Sequence, residues 1–190
     1  MSYGFYFDQT ACIGCRACQI ACKDKNDLPV GPRFRMVNTY ECGSFPKPGY
    51  YHLSATCNHC DNPMCLASCP QGAYSKDEAT GAVVHDDEKC IGCQTCVTAC
   101  PYSVPQFFEA DNLVRKCDMC ADLVAAGEMP ACADCCPMRA LEWGDVEELK
   151  AAHPNAVNAI AAWPDGGTGP NCLITAKPEA NEAGFARKLI

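Results

Sequence analysis

The sequence is short of several things. It has no apolar run long enough to cross a bilayer, which takes about 20 residues; the longest weakly apolar stretch, Ala156 to Trp163, is short and contains Asn158. It has no basic surplus: the formal net charge is −8 and the pI near 4.9, which argues against nucleic acid, because phosphate binding needs a basic face. The opening stretch MSYGFYFDQT carries no basic n-region, apolar h-region or twin-Arg pair, so no export address or membrane anchor is expected of the chain itself. No Ser-His-Asp set, phosphate loop or pair of catalytic carboxylates stands out. These absences exclude direct membrane insertion and leave no chemistry for a substrate pocket.

Cysteine is abundant, at 19 of 190 residues. Such density suggests a disulfide scaffold in a secreted chain. The odd count, the missing leader and regular gaps of two and three residues point instead to metal. Four groups emerge: Cys12, Cys15, Cys18 and Cys22; Cys57, Cys60, Cys65 and Cys69; Cys90, Cys93, Cys96 and Cys100; and Cys117, Cys120, Cys132 with Cys135 or Cys136.

Three cysteines on one tight loop can aim their sulfurs at three corners of a four-iron cube. Gly14 and Gly92 in the repeated CIGC let the backbone approach with positive φ. The fourth cysteine, three residues on, lies where a short helix begins to carry the chain away, and it serves the neighbouring cube, as in two-cluster ferredoxins. Pro70, Pro101 and Pro137 follow the last cysteine of three groups and stop that helix, with Lys23 at this place in the first.

Crossed ligation makes the groups work in pairs. The middle two give Cys57, Cys60, Cys65 with Cys100, and Cys90, Cys93, Cys96 with Cys69. The outer two give Cys12, Cys15, Cys18 with Cys136, and Cys117, Cys120, Cys132 with Cys22; the three-residue gap and Pro137 favour Cys136 over its competitor Cys135. Four [4Fe–4S] clusters are therefore expected. Structural zinc is the alternative metal, since paired C-x2-C is also a zinc-ribbon spacing, although a third cysteine two residues further fits one tetrahedral site badly. Cys42 and Cys172 fall outside the groups and are read as packed small side chains.

The remaining features weigh less. His59, between Cys57 and Cys60, is expected to pack or hydrogen-bond rather than ligate; His52, His85 and His153 read as surface or strand residues. Arg16, Lys23, Arg33, Arg35 and Lys116 lie near cysteines, where they either raise reduction potentials or form a solvated face.

With all four groups in order, the stretch from Phe5 to Asp145 resembles the iron–sulfur electron-transfer (B) subunits of the DMSO reductase superfamily, of the DMSO and polysulfide reductase type. CNHCDNPMC, CPQGA, CPYSVPQF and the C-x2-C-x11-C-x3-C-P form of the fourth group carry the likeness. In the nitrate reductase branch a Trp replaces one third-group cysteine and leaves a three-iron cluster; Cys93 and Cys96 are both present here.

The resemblance implies an electron relay in anaerobic respiration between a molybdopterin catalytic subunit and a quinol-linked membrane subunit or other redox partner, with no catalysis by this chain alone. It places the cluster of Cys12, Cys15, Cys18 and Cys136 beside the catalytic subunit and that of Cys69, Cys90, Cys93 and Cys96 at the far end. A free polyferredoxin serving several enzymes is the alternative. Assembly is expected in the cytoplasm, with the finished chain staying there or exported folded beside a twin-Arg partner to the outer face of the cytoplasmic membrane.

The expected fold is α+β, two ferredoxin-like modules with one inserted in the other. Residues 1–54 plus 106–154 form the first, 55–105 the second, and 155–190 an extended C-terminal arm laid on a partner. Tyr3 to Phe7, Arg33 to Glu41 and Tyr50 to Thr56 read as strands, and a hairpin turns about Ala79 to Gly81. A short helix ends at Gly127, and a strand from Leu141 leads to a helix ended by Pro154.

Overall fold

A computed structural model describes residues 2–181 and the short strand 187–188. In chain order it contains β1 (Tyr3–Asp8), α1 (Ala17–Lys25), β2 (Met36–Ser44), β3 (Lys47–Ala55) and α2 (Met64–Ala67). The hairpin β4 (Tyr74–Lys76) and β5 (Val83–His85) precedes α3 (Thr95–Ala99), and a second, β6 (Gln106–Phe108) and β7 (Leu113–Arg115), precedes α4 (Ala121–Ala125) and α5 (Ala131–Asp134). β8 (Leu141–Asp145), α6 (Val146–Ala152), β9 (Cys172–Thr175) and β10 (Arg187–Lys188) complete the chain. The class is α+β, with small sheets and short helices, consistent with a ferredoxin-like fold.

The strand β1 is central. It pairs antiparallel with β8, from Tyr3 opposite Asp145 to Phe7 opposite Leu141, and parallel with β9, from Phe5 opposite Cys172 to Asp8 opposite Thr175. Flanked on both edges, Gly4, Phe5, Tyr6 and Phe7 are all buried. Gly4 has no alternative, because a Cβ there would lie 2.3 Å from the Asn171 carbonyl oxygen. The β2–β3 hairpin pairs from Met36 opposite Ala55 to Ser44 opposite Lys47, and β10 adds to β2.

Short helices follow the cysteine loops. Arg16, Gln94 and Cys120 are left-handed at φ 64°, 59° and 52°, turning the chain into α1, α3 and α4. The α6 start is conventional: the Asp145 carboxylate accepts from the Glu147 and Glu148 amides at 2.9 and 3.2 Å, and Val146 and Leu149 turn inward. The core itself is partly sulfur, with Cys18, Cys22, Cys117, Cys132 and Cys136 packed among Phe5, Phe7, Val37, Leu53, Met119 and Ile174. A smaller cluster gathers Cys65, Tyr74, Val83, Cys96 and Val114.

The stretch after Asn155 departs from the expected arm on a partner. Cys172–Thr175 is a strand of the central sheet, with Leu173 and Ile174 buried, and Val157 bridges to Ile174. The reason is the second edge of β1, whose buried amides and carbonyls need partners. The part of the arm at residues 182–186 and 189–190 lies outside the described residues.

Candidate metal centres

Each cysteine group opens with the same turn. The third residue of each C-x-x-C is left-handed: Gly14 at φ 68°, His59 at 41°, Gly92 at 68° and Met119 at 67°. The turn points that residue's amide back at the first sulfur, with Gly14 N–H donating to Cys12 Sγ at 3.4 Å, Gly92 to Cys90 at 3.5 Å and Met119 to Cys117 at 3.4 Å. Amide donors aimed at sulfur stabilise the thiolate form.

The loops then assemble across the chain. Cys12, Cys15, Cys18 and Cys136 line one apolar recess together with Phe7, Val37 and Leu141. Cys57, Cys60, Cys65 and Cys100 line a second, with Val83, Val104 and Lys116. Cys22 lies within electrostatic reach of Cys132 and Cys120, and Cys117 of Cys22 and Cys132. Cys96 lies within reach of Cys69 and Cys90. Cys93 is exposed, its sulfur 3.4 Å from Thr95 Oγ1.

The sets also adjoin one another. Cys18 feels Cys132, and Cys117 feels Cys57. Tyr74 lies among Cys65, Cys90 and Cys96. Cys135 is half-buried and lines an outer groove with Asp24 and Lys25, and it too lies within electrostatic reach of Cys18, Cys132 and Cys136. Cys42 is buried on β2, opposite Gly49, and Cys172 sits in β9, neither lining the two sulfur recesses.

Burial governs the thiols. It pushes Cys22 and Cys65 up to about 12, and Cys117 well above its usual value. Thiols held that high stay protonated at neutral pH unless a cationic centre displaces the proton. Among the described residues no three Cys, His, Asp or Glu side chains converge where a single ion could sit. A tetrahedral zinc needs all its sulfurs about 2.3 Å from one point, whereas a cube spreads its ligands over separate irons.

Polar groups in and around the recesses also suit a sulfur-rich anionic guest, with Asn58 on the wall of the second. Arg35 Nε and Nη2, Asn58 Nδ2 and His59 Nε2 are buried without a partner among the described residues. The recesses and their donors thus fit iron–sulfur cubes.

Several of these residues carry no sequence signal. Thr168 donates to Cys60 Sγ at 3.1 Å from a Gly-rich stretch 108 positions away, and Asn171 Nδ2 donates to the His59 carbonyl at 2.9 Å. Ser54 Oγ lies 3.5 Å from Cys18 Sγ. His59 packs as expected: it is 1% exposed, and Nδ1 accepts from the Val83 amide at 2.9 Å. His52 seats its ring against Gly14, and His153 stacks on Tyr6 at 3.6 Å. The five cations divide: Arg35 and Lys116 are buried, Arg33 is exposed, Arg16 is half-buried, and Lys23 ties down the carbonyl of Pro32 at 2.8 Å.

Comparison with known proteins agrees with this chemistry. Residues 49–146 match the family described as 4Fe-4S dicluster domain, and residues 9–27 match a 4Fe-4S binding domain. The chain is 42% identical to the B subunit of anaerobic dimethyl sulfoxide reductase from Escherichia coli (strain K12) over 188 residues, covering 94% of this chain and 90% of the relative. It is 43% identical to YnfG, a probable anaerobic dimethyl sulfoxide reductase subunit of the same organism, over the same shares. Against protein NrfC, also of that strain, it is 38% identical over 148 residues, 77% of this chain and 66% of the relative.

Proposed function

The chain belongs to the iron–sulfur (B) subunit family of dimethyl sulfoxide reductases, and on that premise we propose that it holds four [4Fe–4S] clusters and relays single electrons between a molybdopterin catalytic subunit and a quinol-linked membrane subunit. The observation that supports this reading is the proximity of sulfurs from one cysteine group to the next: Cys18 lies within electrostatic reach of Cys132, Cys117 of Cys57, and Tyr74 of both Cys65 and Cys96. When bound, each cluster accepts and gives up one electron with little change in its ligands.

The ligands would be Cys12, Cys15, Cys18 and Cys136; Cys22, Cys117, Cys120 and Cys132; Cys57, Cys60, Cys65 and Cys100; and Cys69, Cys90, Cys93 and Cys96. The protein's part is to exclude water and orient donors. Phe7, Val37 and Leu141 wall off the first recess. The amides of Gly14, Gly92, Met119 and Ala73 and the Thr168 hydroxyl hold charge on sulfur. Substrate reduction would belong to the catalytic partner, and this chain would not act as an enzyme alone.

We divide the chain into a first module of residues 1–54 and 106–154 and an inserted second module of 55–105, with the segment from 155 returning to close both. Among the described residues no helix is long and apolar enough to cross a membrane, so the quinol-linked partner would supply the anchor. Cluster loading would take place in the reducing cytoplasm.

Anaerobic purification of the native assembly tests the reading. It predicts about sixteen irons per chain, broad absorption near about 400 nm, and a stoichiometric large subunit containing molybdenum. Colourless zinc protein would overturn the cluster assignment, and a brown monomer without partners would favour a free polyferredoxin.

A further inference from the structure

Two cations are buried inside the sulfur array. Arg35 is 1% and Lys116 5% exposed, and among the described residues neither has a carboxylate within ion-pairing distance. A buried charge is expensive unless something compensates it. Arg35 Nη1 donates to Ser54 Oγ at 3.1 Å and to its carbonyl at 3.3 Å, while Nε and Nη2 have no partner among the described residues. Its guanidinium covers the Phe5 ring at 4.6 Å. Burial works against its charge, and the surrounding sulfurs of Cys132, Cys18, Cys117 and Cys22 more than reverse that.

The placement is at a junction. Cys18 belongs to the first set and Cys22, Cys117 and Cys132 to the next, so one guanidinium faces both. Ser54 Oγ, which accepts from Arg35, lies 3.5 Å from Cys18 Sγ. Lys116 repeats the arrangement one step along. Its Nζ donates to the Val83 carbonyl and, at 2.9 Å, to the Cys117 carbonyl, and the side chain lines the recess of Cys57, Cys60, Cys65 and Cys100. At the third junction stands the Tyr74 ring, beside Cys65, Cys90 and Cys96.

We propose that Arg35 and Lys116 are potential-setting residues. Each is a fixed positive charge between two clusters that raises the potentials of both. Among the described residues neither lines the set of Cys69, Cys90, Cys93 and Cys96, from which the Tyr74 ring, 5.9 Å from Lys116 Nζ, separates the nearer cation. The inference rests on the four-cluster reading. Each cube with its four thiolates is a net anion and becomes more negative on reduction, so a desolvated cation beside it favours the reduced form. The two unpartnered donors of Arg35 supply hydrogen bonds to sulfur in the same sense.

The test is a potentiometric titration of the full chain, iron-loaded and followed by electron paramagnetic resonance, with iron counted in every variant. Arg35→Met should lower the reduced-to-oxidised ratio at fixed potential at least tenfold, or about 59 mV for one electron. The loss should fall on two clusters only. Lys116→Met should move a pair that shares one member with the first. Arg35→Lys, which keeps the charge, should stay within threefold of the parent. Lys150→Met removes the same charge from an exposed helix position and should move none.

Equal movement of all four clusters, or of none at full iron content, overturns the inference while leaving the four-cluster reading intact. If neither neutral variant retains iron, the cations are structural and the inference also falls. A parent chain without about sixteen irons removes the four-cluster reading itself.

Discussion

At the third position of the loops opening at Cys12 and Cys90 stand Gly14 and Gly92; in those opening at Cys57 and Cys117 stand His59 and Met119, with the same sign of φ. The glycine loops sit at the surface: Ile13 and Ile91 are 59% and 55% exposed, and Cys15 and Cys93 are exposed. The other pair is interior, with His59 and Met119 each 1% exposed. A left-handed residue with a side chain costs about 1–2 kcal/mol and persists where its surroundings over-determine it. Inside, the Val83 amide on His59 Nδ1 and the core around Met119 supply that restraint. Outside, Gly14 lies against the His52 ring and Gly92 against the Asn112 carbonyl with no room for a Cβ, and the residue with no side chain to strain does the same work. One sulfur geometry is thus reached by omission at the surface and by packing within.

The comparison breaks most severely at the ligands. Cys117→Ser should abolish nearly all iron and the far-ultraviolet dichroism, because Cys117 is buried in the main core and touches two sulfur sets. Cys93→Ser at the exposed end should lose no more than about four of about sixteen irons and leave the dichroism in place. Anaerobic iron assay and dichroism on both variants check this, and equal loss would erase the distinction. Chelation of the parent protein should unfold it, since sulfur fills so much of the core.

The packing half of the argument is sharper at Met119. Met119→Ala should lower stability by about 2–5 kcal/mol, read from the anaerobic denaturation midpoint. Ile13→Ala and Ile91→Ala should stay within about 0.5 kcal/mol. The glycine half is tested by adding a methyl. Gly92→Ala places a Cβ 2.3 Å from the Asn112 carbonyl oxygen, and Gly14→Ala places one 2.5 Å from the His52 ring. Both add about 1–2 kcal/mol of left-handed strain, and Gly92→Ala should be the worse, because a ring can turn and a backbone carbonyl cannot.

The smallest effect is the surface bond from Lys25 Nζ to Asp122, 2.9 Å long, between α1 and α4. Asp122→Asn should cost under about 1 kcal/mol and vanish in high salt. The hydrogen bond from Lys25 holds the Asp122 carboxyl below its usual range. Its stabilisation is therefore present above the usual carboxylate pKa and is lost as pH falls through the depressed one.

Much of this was legible in residue spacing. Strands at Tyr3 to Phe7 and along β2 and β3, the hairpin around Ala79 to Gly81 and the strand-to-helix passage after Leu141 follow from alternation and turn residues, and each lies within a residue or a few of its place. Strands of three or four residues are too short for alternation to register: the β4–β5 pair was announced by its turn at Gly81, whereas the β6–β7 turn has no glycine and β9 pairs with a strand far away in the chain, so both escaped. Thr168 and Asn171 escaped for a related reason: their contacts with Cys60 and His59 are tertiary and leave no local pattern. His59 and Met119 hid their left-handed turns because only glycine announces one. Arg33 and Arg35 read alike in RFRMV, two residues apart where alternation would put both on one face, yet one faces solvent and the other the sulfur core; both precede β2, which begins at Met36, so strand periodicity does not govern them.

The placement of β1 between β8 and β9 bears on how the protein is made. β1 finds its partners at residues 141–145 and 172–175, more than 130 positions later in the chain. While the intervening chain is made it has nothing to pair with, and Cys12, Cys15 and Cys18 lack Cys136, with which they line one recess. Under the proposed ligation, a factor that delivers iron to the first loop would act only after residue 136 has emerged, and a nascent chain interrupted before β9 would expose its thiols to whatever oxidant is at hand.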